Sequence, residues 1–352
     1  MKLISKYTIN KTESTEVFWL EDISVFYKNI AEKYSNSVVL VDEECYNVYK
    51  KDFSTFENFI QIKNAEHSKS FSEIEKLIYQ INDFNLDKNS IIIGIGGGAT
   101  SDIVGFLGSI FMRGISVGFI PTTLLSMVDA SIGGKNGVNI ANIKNAVGTI
   151  HQPDFIGLYL KFVQSLPRIE MANGCAEIIK YGAIFDKKLW DLLYENNLNQ
   201  FIENQELQQK IIEICIKIKI GIISEDTFDK GIRRTLNFGH TFGHAIESLY
   251  RLSHGKAVAA GMMFSAFLSQ KITRFSSKEY EMLREMLIKY ELPSVIKFEK
   301  DEVLERMMRD KKREKNEIQF ILLSKLGKAK IEKIGKNEMD VYLNEYNKFI
   351  NI

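Results

Sequence analysis

The chain has 352 residues, 45% of them hydrophobic, enough for two packed domains, because a single core stops growing at about 250–300 residues. Forty-six Lys and Arg against 45 Asp and Glu leave a net charge of +1. That balance excludes the basic excess of a dedicated nucleic-acid or membrane-surface protein and makes any anion binding local. Cys45, Cys175 and Cys215 are odd in number and far apart, which argues against a disulfide framework and for a reducing, cytoplasmic setting. The start Met1-Lys2-Leu3-Ile4-Ser5-Lys6 lacks the apolar core of a signal peptide, and no run of 18 apolar residues exists to span a membrane. Only four prolines and no low-complexity linker or repeat occur, so domain boundaries have to be read from pattern.

In chain order, Val38-Val39-Leu40-Val41 is a buried strand ending in Asp42, residues 71–81 carry helical spacing, and residues 90–95 are a second strand. Such alternation predicts a parallel sheet with crossover helices. The second strand runs into Gly94-Ile95-Gly96-Gly97-Gly98-Ala99-Thr100-Ser101-Asp102 and then an apolar segment, residues 103–111. A glycine turn between strand and helix lets backbone N–H groups approach a pyrophosphate, although glycines there also serve tight packing. A third strand, residues 115–120, ends at Pro121-Thr122-Thr123, which places two hydroxyls at the carboxyl edge where ligands of open α/β sheets bind.

Beyond residue 165 helical periodicity dominates, over residues 173–185, 205–223, 240–249 and 258–275, with few strand signals. The expected organisation is an α/β domain over residues 1–165 with a Rossmann-like parallel sheet, then a mainly α-helical domain over 166–352. The cleft between them is the default site. On the helix over 205–223, Lys217 falls on the polar side with Glu213, whereas Lys219 falls among Ile211, Ile212, Cys215, Ile218 and Ile222. Lys219 therefore needs an anion at its tip or must snorkel past apolar surface. Three of the five histidines lie within fifteen residues. His240 and His244, four apart, project from one helix face, the geometry a divalent metal or a phosphate needs.

Gly96-Gly97-Gly98 with Asp102, Arg113-Gly114, Pro121-Thr122-Thr123-Leu124-Leu125, Asp129-Ala130-Ser131-Ile132-Gly133-Gly134-Lys135, Val138-Asn139, Lys144-Asn145, Gly174-Cys175-Ala176-Glu177-Ile178-Ile179-Lys180, Arg233 through His244 and His254-Gly255 follow one another in a known order. Together they resemble the 3-dehydroquinate synthase family, over roughly residues 37–325 and at its spacing apart from one shortened loop. The resemblance implies the fold of that family and an NAD- and zinc-dependent lyase of the shikimate pathway, in which cobalt can stand for zinc, cytoplasmic and homodimeric. Its substrate would be the sugar phosphate 3-deoxy-D-arabino-heptulosonate 7-phosphate. Transient oxidation by NAD acidifies a neighbouring C–H, phosphate leaves, the ketone is reduced again, and an intramolecular aldol step closes the ring of 3-dehydroquinate.

The resemblance puts the metal ligands on Glu177, His240 and His254, a carboxylate and two imidazoles that leave positions open for substrate. His244 then lies outside the metal's coordination, as a partner for phosphate and proton transfers. Lys135, Asn145, Lys180, Asn237 and His244 are implied around the phosphate and the reacting centre, and Lys219 and Arg233 at the substrate carboxylate. Asp129 orients these bases, Arg113 reaches a neighbouring subunit's site, and Lys312 closes over the phosphate. For NAD the implied residues are Asp42, Glu66, Lys69, Gly97, Gly98, Asp102, Thr122, Thr123 and Leu125, with Lys135 and Lys144 counted in both groups. Asp42 serves equally well as a helix N-cap.

The chain departs from the family at Lys256, where a glutamate is usual, at Ile143 in place of a glycine, and at Ile169 in place of an arginine. Rival readings are a sister cyclase making aminodehydroquinate, deoxyinosose or a valiolone, a zinc-dependent polyol dehydrogenase that would release NADH stoichiometrically, and an inactive homologue kept for binding. The intact Asp129–Lys135 and Ala176–Lys180 motifs speak against the deoxyinosose and valiolone products.

Overall fold

In the computed structural model, which describes residues 1–9, 13–141, 143–309 and 317–351, the three apolar runs near residues 38, 91 and 116 become neighbouring strands. The strands of this region are β1 (Lys2–Ile9), β2 (Glu13–Trp19), β3 (Ser37–Asp42), β4 (Phe59–Ile62), β5 (Ile91–Gly96), β6 (Ser116–Pro121), β7 (Lys135–Ile140), β8 (Ile143–Ile150) and β9 (Phe155–Leu158). Seven of them form one sheet in the order β1-β2-β9-β6-β5-β3-β4. All neighbours are parallel except β1 with β2. Parallel strands covered on both faces read as unbroken apolar runs, and Ile91, Ile92 and Ile95 of β5 are fully buried, each contributing about 1.5–3 kcal/mol of hydrophobic stabilisation.

The connections make a switch point. From β3 the chain steps outward to β4, returns to β5 on the other side of β3, and continues away to β6. Ligands of open α/β sheets bind outside the carboxyl ends at such a reversal. Asp42 ends β3 and Gly96 ends β5 at this place.

The helix after the glycines begins at Gly98 and runs to Ile110, with Gly97 at its N-cap and no side-chain cap. Apolar periodicity alone starts it five residues later, because its first turn is small and polar. The helix predicted over residues 71–81 spans Phe71–Asn82 and buries Ile74, Leu77 and Ile81. The hairpins β1–β2 and β7–β8 are weak in sequence, since β8 is mostly exposed and carries no apolar stripe.

The described residues divide into two compact units, Met1–Pro167 with Lys219–Phe228, and Arg168–Ile218 with Asp229–Ile352. A division at residue 165 into two contiguous pieces leaves out the return of Lys219–Phe228 to the first unit. Within that segment the Lys219 side chain pairs with Asp129. The second unit is largely helical but carries the antiparallel hairpin of β10 (Glu317–Lys325) and β11 (Lys328–Gly335), which helical periodicity does not announce. Its helices include Arg168–Ile184, Gln205–Glu225 as far as Ile218, His240–Tyr250 and His254–Ile272.

Three of these helices approach at glycines. A Cβ on Gly261 would stand 1.8 Å from the Gly239 carbonyl oxygen, and one on Gly243 2.9 Å from the Ala257 oxygen, so the His240 and His254 helices touch backbone to backbone. A Cβ on Gly255 would meet the Asn173 Cα at 2.4 Å, which seats the start of the His254 helix on the Arg168–Ile184 helix. Ser253 ties the same place by donating to Asn173 Oδ1 at 2.7 Å. Gly261→Ala should cost about 3 kcal/mol of stability, since backbone cannot retreat as a side chain can. Urea unfolding checks this, and a loss below about 0.5 kcal/mol, the level of an ordinary surface change, contradicts it.

Candidate metal centre and cofactor site

Glu177 lies in the middle of the Arg168–Ile184 helix with its side chain fully buried. Its Oε1 is 3.1 Å from His254 Nε2 and 3.4 Å from His240 Nε2. One ligand atom from each of the three residues lies within 4.8 Å of the others. A tetrahedral ion with bonds of about 2.0–2.1 Å separates its ligands by roughly 3.3–3.5 Å, so these spacings fit a single divalent ion. The other carboxylate oxygen, Oε2, meets the Lys180 ammonium as an ion pair but accepts no well-aligned hydrogen bond. A buried carboxylate left in that condition is suited to a further cation.

Hydrogen bonds aim the rings. His240 Nδ1 stands 3.1 Å from the Phe238 carbonyl oxygen, so a proton there leaves the Nε2 lone pair facing Glu177. His254 Nδ1 stands 3.5 Å from Glu247 Oε2. The His240 ring centroid is 5.1 Å from that of His244 and 5.4 Å from that of His254. The sequence pair His240 and His244 thus shares a face, but the close carboxylate partner of His240 is Glu177. A second grouping, His244, Glu247 and His254, also lies within reach of an ion and is more exposed.

Charges are tuned in the same place. Burial raises the Glu177 carboxyl, but Lys180, His240 and His254 outweigh it and hold the group well below the usual carboxylate range. Burial, with the Lys180 charge, pushes His240 down. At His254 burial lowers the pKa, yet hydrogen bonds to Glu177 and Glu247 lift it to about 9.

In the first unit the cofactor candidates collect at the carboxyl ends of β3, β5 and β6. Asp42 Oδ1 accepts from the N–H groups of Glu44 and Cys45 at 3.1 and 3.2 Å, so the N-cap reading is realised in its own helix, Glu43–Tyr49. Thr122 N–H donates to the Gly96 carbonyl at 2.9 Å, which binds the Pro121-Thr122-Thr123 segment to the glycine turn. A Cβ on Gly97 would touch only the Thr123 side chain, at 3.4 Å, and Thr123 and Ser126 hydroxyls lie 2.8 Å apart. Lys69, itself buried, donates to Asp102 Oδ2 at 2.6 Å and to Asn145 Oδ1 at 2.7 Å, with Glu66 3.9 Å away. Lys219 is 6% exposed and its ammonium meets Asp129 Oδ1 at 2.5 Å, so the anion at its tip is a neighbouring side chain.

The 3-dehydroquinate synthase N-terminal family profile matches residues 59–173, and the C-terminal profile residues 174–313. The chain belongs to the 3-dehydroquinate synthase family. It is 38% identical over 283 residues to the 3-dehydroquinate synthase of Campylobacter fetus, covering 79% of this chain and 81% of that one. It is 39% identical over 288 residues to that of Pyrococcus abyssi, covering 81% and 84%. Among solved structures it resembles 2-epi-5-epi-valiolone synthase from Streptomyces hygroscopicus, determined with NAD+ and Zn2+ bound. The TM-score there is 0.86 at 22% identity, over 98% of this chain and all of that one.

The remaining residues implied by the 3-dehydroquinate synthase family fall as follows. Lys135, Lys144 and Asn145 are exposed on the β7–β8 hairpin, Asn145 in a left-handed conformation with φ 49°. Its N–H donates at 2.8 Å to Asn139 Oδ1, whose Nδ2 donates at 3.1 Å to Glu66. Leu125 is half-buried, and Arg113 is exposed at a turn where Met112 and Arg113 are both left-handed. In the second unit Arg233 is buried and Asn237 half-buried on the 3-10 segment Ile232–Asn237, while His244 is exposed beside His240. Lys312 lies outside the described residues. Lys256 is half-buried in the first turn of the His254 helix, and Ile143 and Ile169 are exposed. Sequence reasoning missed Glu247, and gave Asn139, quoted within the Val138-Asn139 motif, no role. Glu247 could have been found from its place seven residues after His240, on the same helix face.

Burial pushes the Asp102 carboxyl up to about 6 although Lys69 beside it acts to lower it. The folded protein therefore holds this proton more tightly than the unfolded chain, whose aspartate titrates near 3.8. The stability it contributes is full below about pH 4 and is lost as pH rises through about 6. The stability of the wild type relative to Asp102→Asn should fall between these pH values, by up to about 3 kcal/mol. Denaturant unfolding at pH 4, 5, 6 and 7 checks it, and a constant difference contradicts it.

Proposed function

We propose that the chain converts 3-deoxy-D-arabino-heptulosonate 7-phosphate to 3-dehydroquinate and phosphate, with NAD and one zinc or cobalt ion as cofactors. The observation that carries the reading is the convergence of Glu177, His240 and His254 with the buried Lys180 ammonium against the same carboxylate. When bound, the ion supplies Lewis acidity toward a substrate hydroxyl and NAD a reversible two-electron acceptor that is restored in each cycle. The cofactor residues Asp42, Gly97, Gly98, Asp102, Thr122, Thr123 and Leu125 belong to an NAD-binding domain over residues 1–165, and the metal ligands to a metal- and substrate-binding domain over 166–352.

In this reading Lys180 keeps Glu177 ionised and leaves its own N–H groups to bind a second anion, the substrate's phosphate or an oxygen of the reacting centre. His244, exposed next to His240, accepts and returns a proton at the phosphate end, and Asn237, Asn145, Lys135 and Lys144 are assigned as donors to the phosphate. Lys219 and Arg233 hold the carboxylate end, Asp129 keeping the Lys219 ammonium in place. Arg113 serves a neighbouring subunit of a homodimer, and the enzyme works in the cytoplasm on the shikimate pathway toward aromatic amino acids. No helix among the described residues is long and apolar enough to cross a membrane.

Purified protein given the heptulosonate phosphate should release phosphate in large excess over added NAD, and chelator should stop it. Stoichiometric NADH release would instead point to a polyol dehydrogenase, and product identification separates dehydroquinate from aminodehydroquinate. Glu177→Gln should lower turnover more than about 100-fold, beyond what loss of a residue outside the coordination sphere costs, and full activity would contradict the site. Lys219→Ala should raise KM for the sugar phosphate about 10- to 100-fold, as expected for a charged hydrogen bond worth about 1.5–3 kcal/mol. Unchanged constants would leave Lys219 as a structural partner of Asp129.

A further inference from the structure

The helix His240–Tyr250 presents His240, His244 and Glu247 at intervals of four and three residues, so all three side chains leave from one face. His240 uses that face to reach Glu177, and Glu247, nearly two turns on, points to the first residue of the next helix, His254. Glu247 Oε2 stands 3.5 Å from His254 Nδ1, and the carboxylate side chain is only 13% exposed. The opposite ring nitrogen, Nε2, faces Glu177 Oε1 at 3.1 Å. His254 is thus held between two carboxylates, one at each nitrogen. An imidazole that donates Nδ1–H to an acid must offer its Nε2 lone pair to the metal, and the acid also makes that lone pair more basic.

We propose that Glu247 is a positioning residue for the metal centre: it fixes the tautomer and ring angle of His254 and thereby sets metal affinity, without touching the ion. The inference rests on the metal reading of Glu177, His240 and His254. The ring of His254 needs this help more than that of His240. His240 is buried and anchored to the Phe238 carbonyl, whereas the His254 side chain is 31% exposed at the start of its helix.

The experiment is zinc titration of the metal-stripped full chain against a chromophoric chelator, with the wild type, Glu247→Gln, Glu247→Ala and Glu177→Gln, and thermal unfolding of each metal-free protein alongside. Zinc affinity should fall about 10- to 100-fold in Glu247→Ala and less in Glu247→Gln, which keeps an acceptor but loses the charge. The metal-free melting temperature of Glu247→Gln should stay that of the wild type. If Glu247→Ala fails to fold, Glu247→Gln alone decides, by a fall in affinity of at least threefold. Affinity unchanged in the Glu247 variants while Glu177→Gln loses zinc overturns this inference and leaves the metal site standing. Zinc affinity unchanged in Glu177→Gln overturns the metal site itself.

Discussion

The close approach of three helix backbones is the constraint on which the rest depends. Glu177, His240 and His254 are separated by 63 and 14 positions in the chain, and nothing local brings them together. Glycines do: Gly239, Gly243 and Gly261 let two helices touch main chain to main chain, and Gly255 lets the second rest on the helix that carries Glu177. Ser253 and Asn173 pin the same junction with a hydrogen bond. Packing of this kind is intolerant, because each added methyl meets a carbonyl or a Cα. It is also what brings two imidazole nitrogens within 3.1 and 3.4 Å of one carboxylate oxygen.

This nearly neutral chain buries three lysines, each against an acid. Lys69 meets Asp102, Lys180 meets Glu177 and Lys219 meets Asp129, and the three lysines are 4%, 1% and 6% exposed. A buried ammonium without a partner would cost several kcal/mol, so each acid makes its lysine tolerable. Each pair also keeps a charge fixed in a place of low dielectric, where it acts more strongly on a ligand than a surface lysine can. Burial has a cost even in a pair, and it raises the Asp102 carboxyl although Lys69 acts to lower it. Each buried cation is thus matched locally by an acid, in keeping with an overall charge of only +1.

Much of this was legible in the sequence, and what was not has physical reasons. The buried strands β3, β5 and β6 show as apolar runs because both their faces are covered, and the long helices show by period. Lys219 betrays itself by lying among isoleucines; the resemblance places Asp129 among the bases, and the structure pairs the two directly. Asp42 reads two ways in sequence, and its capping bonds are now visible without removing the other reading. The β7–β8 hairpin escapes because asparagine and glycine interrupt its apolar residues and β8 is mostly exposed, and β10–β11 because its alternation sits amid helical sequence. His254 is marked only by the motif around it, and Glu247 by nothing but its register, since its contact crosses from one helix to the next. Contacts made between elements leave no period in the chain.

The central claim is that one carboxylate and two imidazoles share a single divalent ion. X-ray absorption at the zinc edge of the purified, zinc-loaded protein tests it most directly. The account predicts one ion per chain with nitrogen and oxygen neighbours at about 2.0–2.1 Å, two of them imidazole, falling to one imidazole in His254→Ala. Sulfur in the coordination sphere, or a spectrum unchanged by His254→Ala, would contradict it.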